Sequence, residues 1–252
     1  MPIHEALERT LDVGALLREI PELRLARGQG QGSFHHLDTL EHILETVRSI
    51  KRELAEDQIG ARVGEEGREA LFVVGLLHDI AKPVTRGEVE GRVLFVAHDT
   101  LGARLAHRAC RRLGCSARIT DLATTLTALH LKIGFMGNPR SDYSPERLAR
   151  AAGPFGEELA TLCWADRLAA QGPRLKPEHL ERHRELCLEF LQKSRELGPY
   201  PESDYEGIAD RLGYPPDADI GYAASRIRLL RARGVAEDAA VRHVVRLQKS
   251  EV

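Results

Sequence analysis

Apolar residues recur at helical spacing along almost the whole chain. Leu159, Leu162, Cys163 and Ala170 trace the i, i+3, i+4 stripe of an amphipathic helix over 156–170. The same period predicts helices at roughly 35–57, 66–82, 99–113, 116–132, 144–152 and 177–197, after a leading helix over 3–18. Ser144 followed by Pro145 is a natural N-cap and first helical position. The alternating stretch Gly28-Gln29-Gly30-Gln31-Gly32 predicts a loop. Residues 92–96, Arg-Val-Leu-Phe-Val, are the one strand-like run and are expected to form an extended connector. Two breaks, Gly198-Pro199-Tyr200-Pro201 and Gly213-Tyr214-Pro215-Pro216, set off short helices near 204–212, 219–233 and 236–249. The expected fold is all-α: a helical domain over 1–197 with its lead-in helix, and a helical tail over 198–252.

Polar residues interrupt this pattern in places that matter. Asp166 falls on the buried stripe of its helix, where an unpaired charge costs several kcal/mol or more. His78 and Asp79 follow an apolar run, Ala70 to Leu77, and precede Ile80-Ala81-Lys82-Pro83. The segment 35–57, wound at 100° per residue, divides into three sectors. Leu37, Leu40, Leu44, Val47, Ile50 and Leu54 form a core face, and Glu41, Glu45, Arg48 and Arg52 a solvated one. His35, Asp38, Thr39, His42, Thr46 and Ser49 form a polar sector with almost no charge, as expected beside a functional cavity. Buried polar groups on separate helices are expected to converge on a cation.

The chain has 252 residues, 42% of them hydrophobic, enough for one sizeable core or for a large and a small domain. A net charge of −2 argues against a polycation built for nonspecific nucleic-acid binding and leaves local patches open. No run approaches the ~18 apolar residues of a membrane span, and the N-terminus lacks the basic and apolar regions of a signal peptide. The four cysteines, Cys110, Cys115, Cys163 and Cys187, form no CxxC and lie in helical patterns. They read as small buried hydrophobes in a reducing cytoplasm rather than as zinc ligands.

His42, the pair His78-Asp79 and Asp166 are therefore the primary candidates for metal ligands. Imidazole with carboxylate suits Mn, Fe, Co, Ni or Zn, and adjacent carboxylates extend the choice to Mg. Water activated by such an ion becomes a nucleophile near neutral pH. A His, an HD pair about 36 residues on and an Asp about 87 residues further, all on helices, resemble the HD superfamily of metal-dependent phosphohydrolases. More narrowly, the chain resembles the HD region of bacterial CCA-adding tRNA nucleotidyltransferases and related poly(A) polymerases. The resemblance is carried by Ile20-Pro21-Glu22-Leu23, by His36 to His42, by Gly75-Leu76-Leu77-His78-Asp79-Ile80-Ala81-Lys82-Pro83, by Phe95 to Asp99 with Gly102-Ala103, and, more loosely, by Leu212 to Gly221. It implies an HD helical bundle and maps the family's four-residue signature onto His42, His78, Asp79 and Asp166. Those polymerases begin with a head bearing a glycine-rich segment and a DxD pair. Here about 34 residues precede the HD region, and the only DxD, Asp217-Ala218-Asp219, reads as a helix start. Nucleotide addition is therefore not expected of this chain.

Several HD hydrolases place two more histidines between the HD pair and the last Asp. His98 and His130 fall in that interval and are expected to hold a second ion or a substrate phosphate; an ordinary helix-end role stays open for His130. Lys82, three residues after Asp79, either neutralises a phosphate or is a solvated helix end. His35 and His36 are expected at the mouth. Trp164 reads as packing rather than as a base-stacking platform. Asp79, Lys82 and His98 are the expected catalytic groups. The expected activity is hydrolysis of a nucleotide or RNA-terminal phosphate, of the 2′,3′-cyclic phosphodiesterase or phosphatase type. The alternatives are a hydrolase of free deoxynucleotides or dinucleoside polyphosphates and a noncatalytic tRNA-binding partner of a separate nucleotidyltransferase. Arg226, Arg228, Arg231, Arg233, Arg242, Arg246 and Lys249 form either an RNA-tracking stripe or an ordinary solvated surface.

Overall fold

The structure is a computed structural model that describes residues 12–250, apart from residues 57, 137, 139, 140, 214 and 216. Most of the expected leading helix lies outside the described residues; what is described is α1, Val13–Glu19, capped by Asp12. A 3-10 turn, Pro21–Ala26, leads to α2, Thr39–Glu56. There follow α3 (Glu65–Leu77), a single turn α4 (Lys82–Thr85), the strands β1 (Arg86–Val89) and β2 (Arg92–Phe95), α5 (His98–Arg112), α6 (Ala117–Leu129) and a turn α7 (Lys132–Phe135). The second half holds α8 (Pro145–Ala152), α9 (Gly156–Ala169), α10 (Pro177–Leu197), α11 (Tyr205–Leu212), α12 (Ala218–Ala232) and α13 (Glu237–Ser250). The fold class is all-α, as expected.

Two helices form the axis of the molecule because each carries a long, mostly apolar run that is buried. In α3, Ala70 to Leu77 are all buried, so this helix is covered on every side. Gly75 lets α2 approach: a Cβ there would lie 2.9 Å from the Ile50 side chain. In α9, Leu159, Ala160, Leu162, Cys163 and Ala165 are buried, and the helix packs on α2, α3 and α10. Ser144 caps α8 by accepting from the Arg147 N–H. A tight approach joins α12 to α6, because a Cβ on Gly221 would sit 2.1 Å from the Ala117 carbonyl oxygen. Helices α11 to α13 share a small apolar cluster of their own around Ala223, Ile227, Ala240 and Val244.

Three expectations are corrected. Residues 92–96 are not a connector: Arg92–Phe95 pairs antiparallel with Arg86–Val89. Glu90 and Gly91, both at positive φ, make the two-residue turn that fits the twist of a hairpin. The pattern concealed the hairpin because it projects from the body, so its first strand carries no buried face. Helix α2 begins at Thr39 rather than at 35, because the Asp38 carboxylate accepts from the Glu41 N–H and caps it. His35, His36 and Leu37 therefore belong to the entering loop. Cys115 lies between α5 and α6, only part-buried, whereas the other three cysteines are buried; all four are free thiols. Among the described residues, no helix is long and apolar enough to cross a membrane.

Candidate metal centre

His42, His78, Asp79 and Asp166 meet inside the bundle, and His98 and His130 meet the same Asp79 from its other side. Three helix ends and two helix interiors deliver them. Helix α3 stops at Leu77, and His78 caps it with backbone still helical, donating its N–H to Val74. The chain then tightens, with Ile80 N–H on Leu77 and Lys82 N–H on Asp79. That tightening faces the Asp79 carboxylate inward rather than continuing the helix as the period suggested. His98 opens α5 after Ala97, a non-glycine residue at φ 58°. Left-handed backbone costs an alanine about 1–2 kcal/mol, and here it turns the chain so that His98 enters the body. His130 caps α6. His42 and Asp166 come from the interiors of α2 and α9.

Three of the histidines are oriented by one device. The Nδ1 of His78, of His98 and of His130 each lies 2.7 or 2.8 Å from the carbonyl oxygen three residues earlier, Gly75, Phe95 and Thr127. A carbonyl only accepts, so each Nδ1 donates and, in the neutral ring that a cation would bind, each Nε2 keeps its lone pair. All three Nε2 atoms point at carboxylates. His78 Nε2 is 3.2 Å from Asp79 Oδ2, and His98 and His130 Nε2 are each 3.5 Å from Asp79 Oδ1. His42 Nε2 is 3.3 Å from Asp79 Oδ2 and 2.9 Å from Asp166 Oδ1. The two oxygens of Asp79 thus face two separate groups of nitrogens.

Burial and polarity are in conflict here. His42, His78, Asp79 and His130 are at most 2% exposed, and Asp166 alone has a side chain with appreciable access to solvent, at 19%. Yet the four Nε2 atoms and both Asp79 oxygens make no hydrogen bond of proper geometry. Buried polar atoms left this way cost about 1–3 kcal/mol each. A cation between them removes that cost, and donors of this kind, with Nδ1–H groups tied to carbonyls, are how proteins prepare metal ligands. Each group lies close enough for one ion: its ligand atoms are all within 4.8 Å of one another. The residues fit one divalent cation in each group, with Asp79 common to both.

Without a cation these groups hold protons among themselves. Burial opposes charge on His78, but the Asp79 and Asp166 carboxylates outweigh it and push the imidazole up to about 10. Burial also opposes charge on Asp79, and Lys82 and His78 still hold it well below the usual carboxylate range. His35, at the loop entering α2, is pushed down to about 3 by burial and then by the positive charges of Lys82 and His42.

The remaining expected site residues divide. Lys82 is not a solvated helix end: it is 6% exposed, with Nζ 2.6 Å from Asp79 Oδ2 and donating to Gln31 Oε1 at 2.7 Å. His35 stands edge-on to His42, ring centroids 4.7 Å apart, and His36 is exposed beside it. Trp164 is buried and donates to Glu53, so it packs. Gln31 falls in the segment that the sequence predicts as a loop. Its amide donates to the Leu37 and Asp38 carbonyls, and its carbonyl receives Lys82. The signal available was the pair of glutamines among glycines. Gln29 likewise binds the Pro83 carbonyl and accepts from the Thr39 hydroxyl, fastening this loop to both ends of the site. His183 faces the Cys163 carbonyl at 3.2 Å, and the Cys163 thiol faces the His130 carbonyl at 2.9 Å. They brace α9 against the end of α6.

Comparison with known proteins agrees with this geometry. The family model of the HD domain matches residues 39–171. The chain is 31% identical over 163 residues to the A-adding tRNA nucleotidyltransferase of Deinococcus radiodurans, a match covering 64% of this chain and 34% of that protein. It is 28% identical over 226 residues to the CC-adding tRNA nucleotidyltransferase of Thermus thermophilus, covering 88% of this chain and 47% of that protein. A bifunctional uridylyltransferase/uridylyl-removing enzyme of Azospirillum brasilense is 34% identical over 137 residues, 51% of this chain and 14% of that enzyme. The chain thus spans at most about half the length of these relatives. It belongs to the HD domain family, whose members are metal-dependent hydrolases in general.

Proposed function

We propose that this HD domain protein is a metal-dependent phosphohydrolase that cleaves a phosphoester at a nucleotide or RNA end, of the 2′,3′-cyclic phosphodiesterase or phosphatase type. The observation that carries the proposal is Asp79, a buried carboxylate whose two oxygens face two sets of lone-pair nitrogens. His42, His78, Asp79 and Asp166 would hold one cation, and Asp79, His98 and His130 a second. Mn, Fe, Ni, Co, Zn and Mg all remain compatible with the donor set. Bound there, the metal supplies Lewis acidity, polarising a phosphoryl oxygen and acidifying water.

The chain's own residues do the rest. The three carbonyl-anchored Nδ1–H groups hold the imidazoles in one tautomer, so binding needs no reorganisation. Lys82 places a fixed positive charge beside Asp79, within the space a phosphoryl group would share. Gln31 keeps that ammonium in place. Of the ligand side chains that of Asp166 is the most accessible, at 19%, so a substrate would approach from its side. His35 and His36 lie at the loop before His42 and would meet the substrate there. Relatives named for acting on tRNA favour a nucleic-acid end as the substrate, and one named for removing uridylyl groups favours hydrolysis of a nucleotidyl ester.

The test is an assay of the purified chain on 2′,3′-cyclic and 2′-phosphorylated nucleotides in Mn, Ni, Co and Mg. Turnover on these and its loss in D79N are expected. Hydrolysis confined to deoxynucleotides or dinucleoside polyphosphates would move the substrate to free nucleotides. Tight tRNA binding with no turnover under any metal would make the chain a binding partner instead.

A further inference from the structure

Beside the second half of the metal centre runs a groove of about 190 Å³ between the ends of α5 and α6 and the helix α12. Its position follows from the chain. Asp99 and Thr100 line it directly after His98, and Lys132 lines it two residues after His130. Opposite them stand Arg226 and Arg233. Three cations face one carboxylate there, an excess of two positive charges.

The charges are unequal in availability. The Lys132 ammonium is spoken for: it lies 2.5 Å from Asp99 Oδ2, between the rings of Tyr143 and Phe135. The arginines of the α12 segment split by face. Arg228 is locked to Asp121, and Arg231 pairs with Glu237. Among the described residues, Arg226 and Arg233 have no carboxylate partner; Arg226 only overlies the Tyr222 ring, 5.9 Å from its centroid. Seven residues apart, the two lie on one side of the helix, separated by about 10 Å of rise. The larger cavity on the far side of α12, about 550 Å³, lacks this property. Three of its four arginines, Arg211, Arg228 and Arg231, are already matched by carboxylates.

We infer that this groove binds the sugar-phosphate backbone of a polynucleotide, seating the phosphodiesters next to the reacting end on Arg226 and Arg233. The inference deepens the proposed function and rests on it for the direction of the strand. Two unpaired guanidiniums at that spacing can hold two phosphates of one strand without reading bases, because phosphate contacts position a strand and carry no sequence information. The placement explains how a chain of net charge −2 engages a polyanion: the excess charge is local and sits beside the centre.

The experiment is a fluorescence-anisotropy titration with a labelled single-stranded oligoribonucleotide, run on the full chain at several salt concentrations. R226E/R233E should weaken binding at least tenfold and flatten the salt dependence by about one to two units of slope. R242E/R246E, an equal charge change on α13, should alter it less than twofold. Wild-type affinity in R226E/R233E, or an equal loss in R242E/R246E, would overturn the groove. Competition by a free mononucleotide at the oligonucleotide's own concentration would overturn the polynucleotide assignment. Binding that passes these tests without hydrolysis in any metal would leave the groove standing and remove the hydrolase reading.

Discussion

Two aspartates lie at the hearts of two buried polar clusters, and they are treated in opposite ways. Asp121, on α6, is fully buried, and both its oxygens are saturated: Arg228 donates from two nitrogens, and Thr125, Ser203 and the Tyr205 hydroxyl donate as well. Asp79 is as deeply buried, yet apart from the Lys82 ion pair its oxygens face only the Nε2 atoms of four imidazoles, at 3.2–3.5 Å and without a hydrogen bond of proper geometry. A charged group whose acceptors are all filled by its own chain has no need of a ligand. It ties α12 and the segment around Ser203 to α6. A charged group surrounded by acceptors is incomplete, and only a cation or shared protons complete it. The difference separates a structural network from a site, even though the two sets of residue types overlap.

Substitutions that exchange the two behaviours test that contrast. The largest effect is expected in D79N. The side chain keeps its shape but leaves the buried Lys82 ammonium without its carboxylate, so a loss of up to about 3–5 kcal/mol in chemical denaturation in chelator is expected beside the loss of activity. Turnover should fall about a thousandfold or more, since losing several kcal/mol of charge stabilisation corresponds to that factor. D121A leaves a buried Arg228 guanidinium uncompensated, at a cost of about 3–5 kcal/mol in chemical denaturation, while the surviving folded fraction binds metal as before. If D121A emptied the metal centre with the protein fully folded, the two clusters would be one network.

Glu158 sharpens the comparison from a third position. It is buried near the start of α9, where burial pushes its carboxyl up to about 7, against the smaller opposing pull of Arg118. The fold therefore binds more protons there than the unfolded chain does between about 4.5 and 7, and stability falls as pH rises through that window. E158Q should be more stable than the wild type at pH 8, by at most about 3 kcal/mol, and equal to it near pH 4. An unchanged pH dependence in urea unfolding would show that Arg118 already neutralises this carboxylate. The smallest of these effects is expected for H98A, a loss of roughly tenfold to a hundredfold in turnover, with the cation of the His42 group retained.

The helices were legible in the sequence because their apolar residues repeat at the period that burial demands. The range 177–197 is matched to the residue by α10, and Ser144 caps as its position implied. The hairpin was only half legible: Arg92–Phe95 alternates and reads as a strand, but its partner Arg86–Val89 is exposed throughout and leaves no face to read. The start of α2 was missed because the polar sector runs on past the helix into a loop that turns back on it at Asp38. His42, His78, Asp79 and Asp166 were visible as polar breaks in apolar runs and as a spacing, whereas His98 and His130 entered only through the resemblance to HD hydrolases. Gln31 was not visible, since its partner Lys82 is 51 residues away and the contact exists only once the loop has folded onto α4. Nor could the sequence divide the arginines of 226–233 into paired and unpaired: helical phase separates Arg226 from Arg228, but only packing places Asp121 beneath one of them.

The most direct test of the central claim is metal stoichiometry, read by isothermal calorimetry with Mn or Ni on the purified, chelator-treated chain and confirmed by elemental analysis. Two sites per chain are predicted for the wild type, one for a His98→Ala/His130→Ala variant, and none for D79N, with D121N unchanged from the wild type. A wild-type chain that takes up no divalent ion, or a D79N chain that binds as the wild type does, would contradict the assignment of Asp79 as the carboxylate shared by two cations.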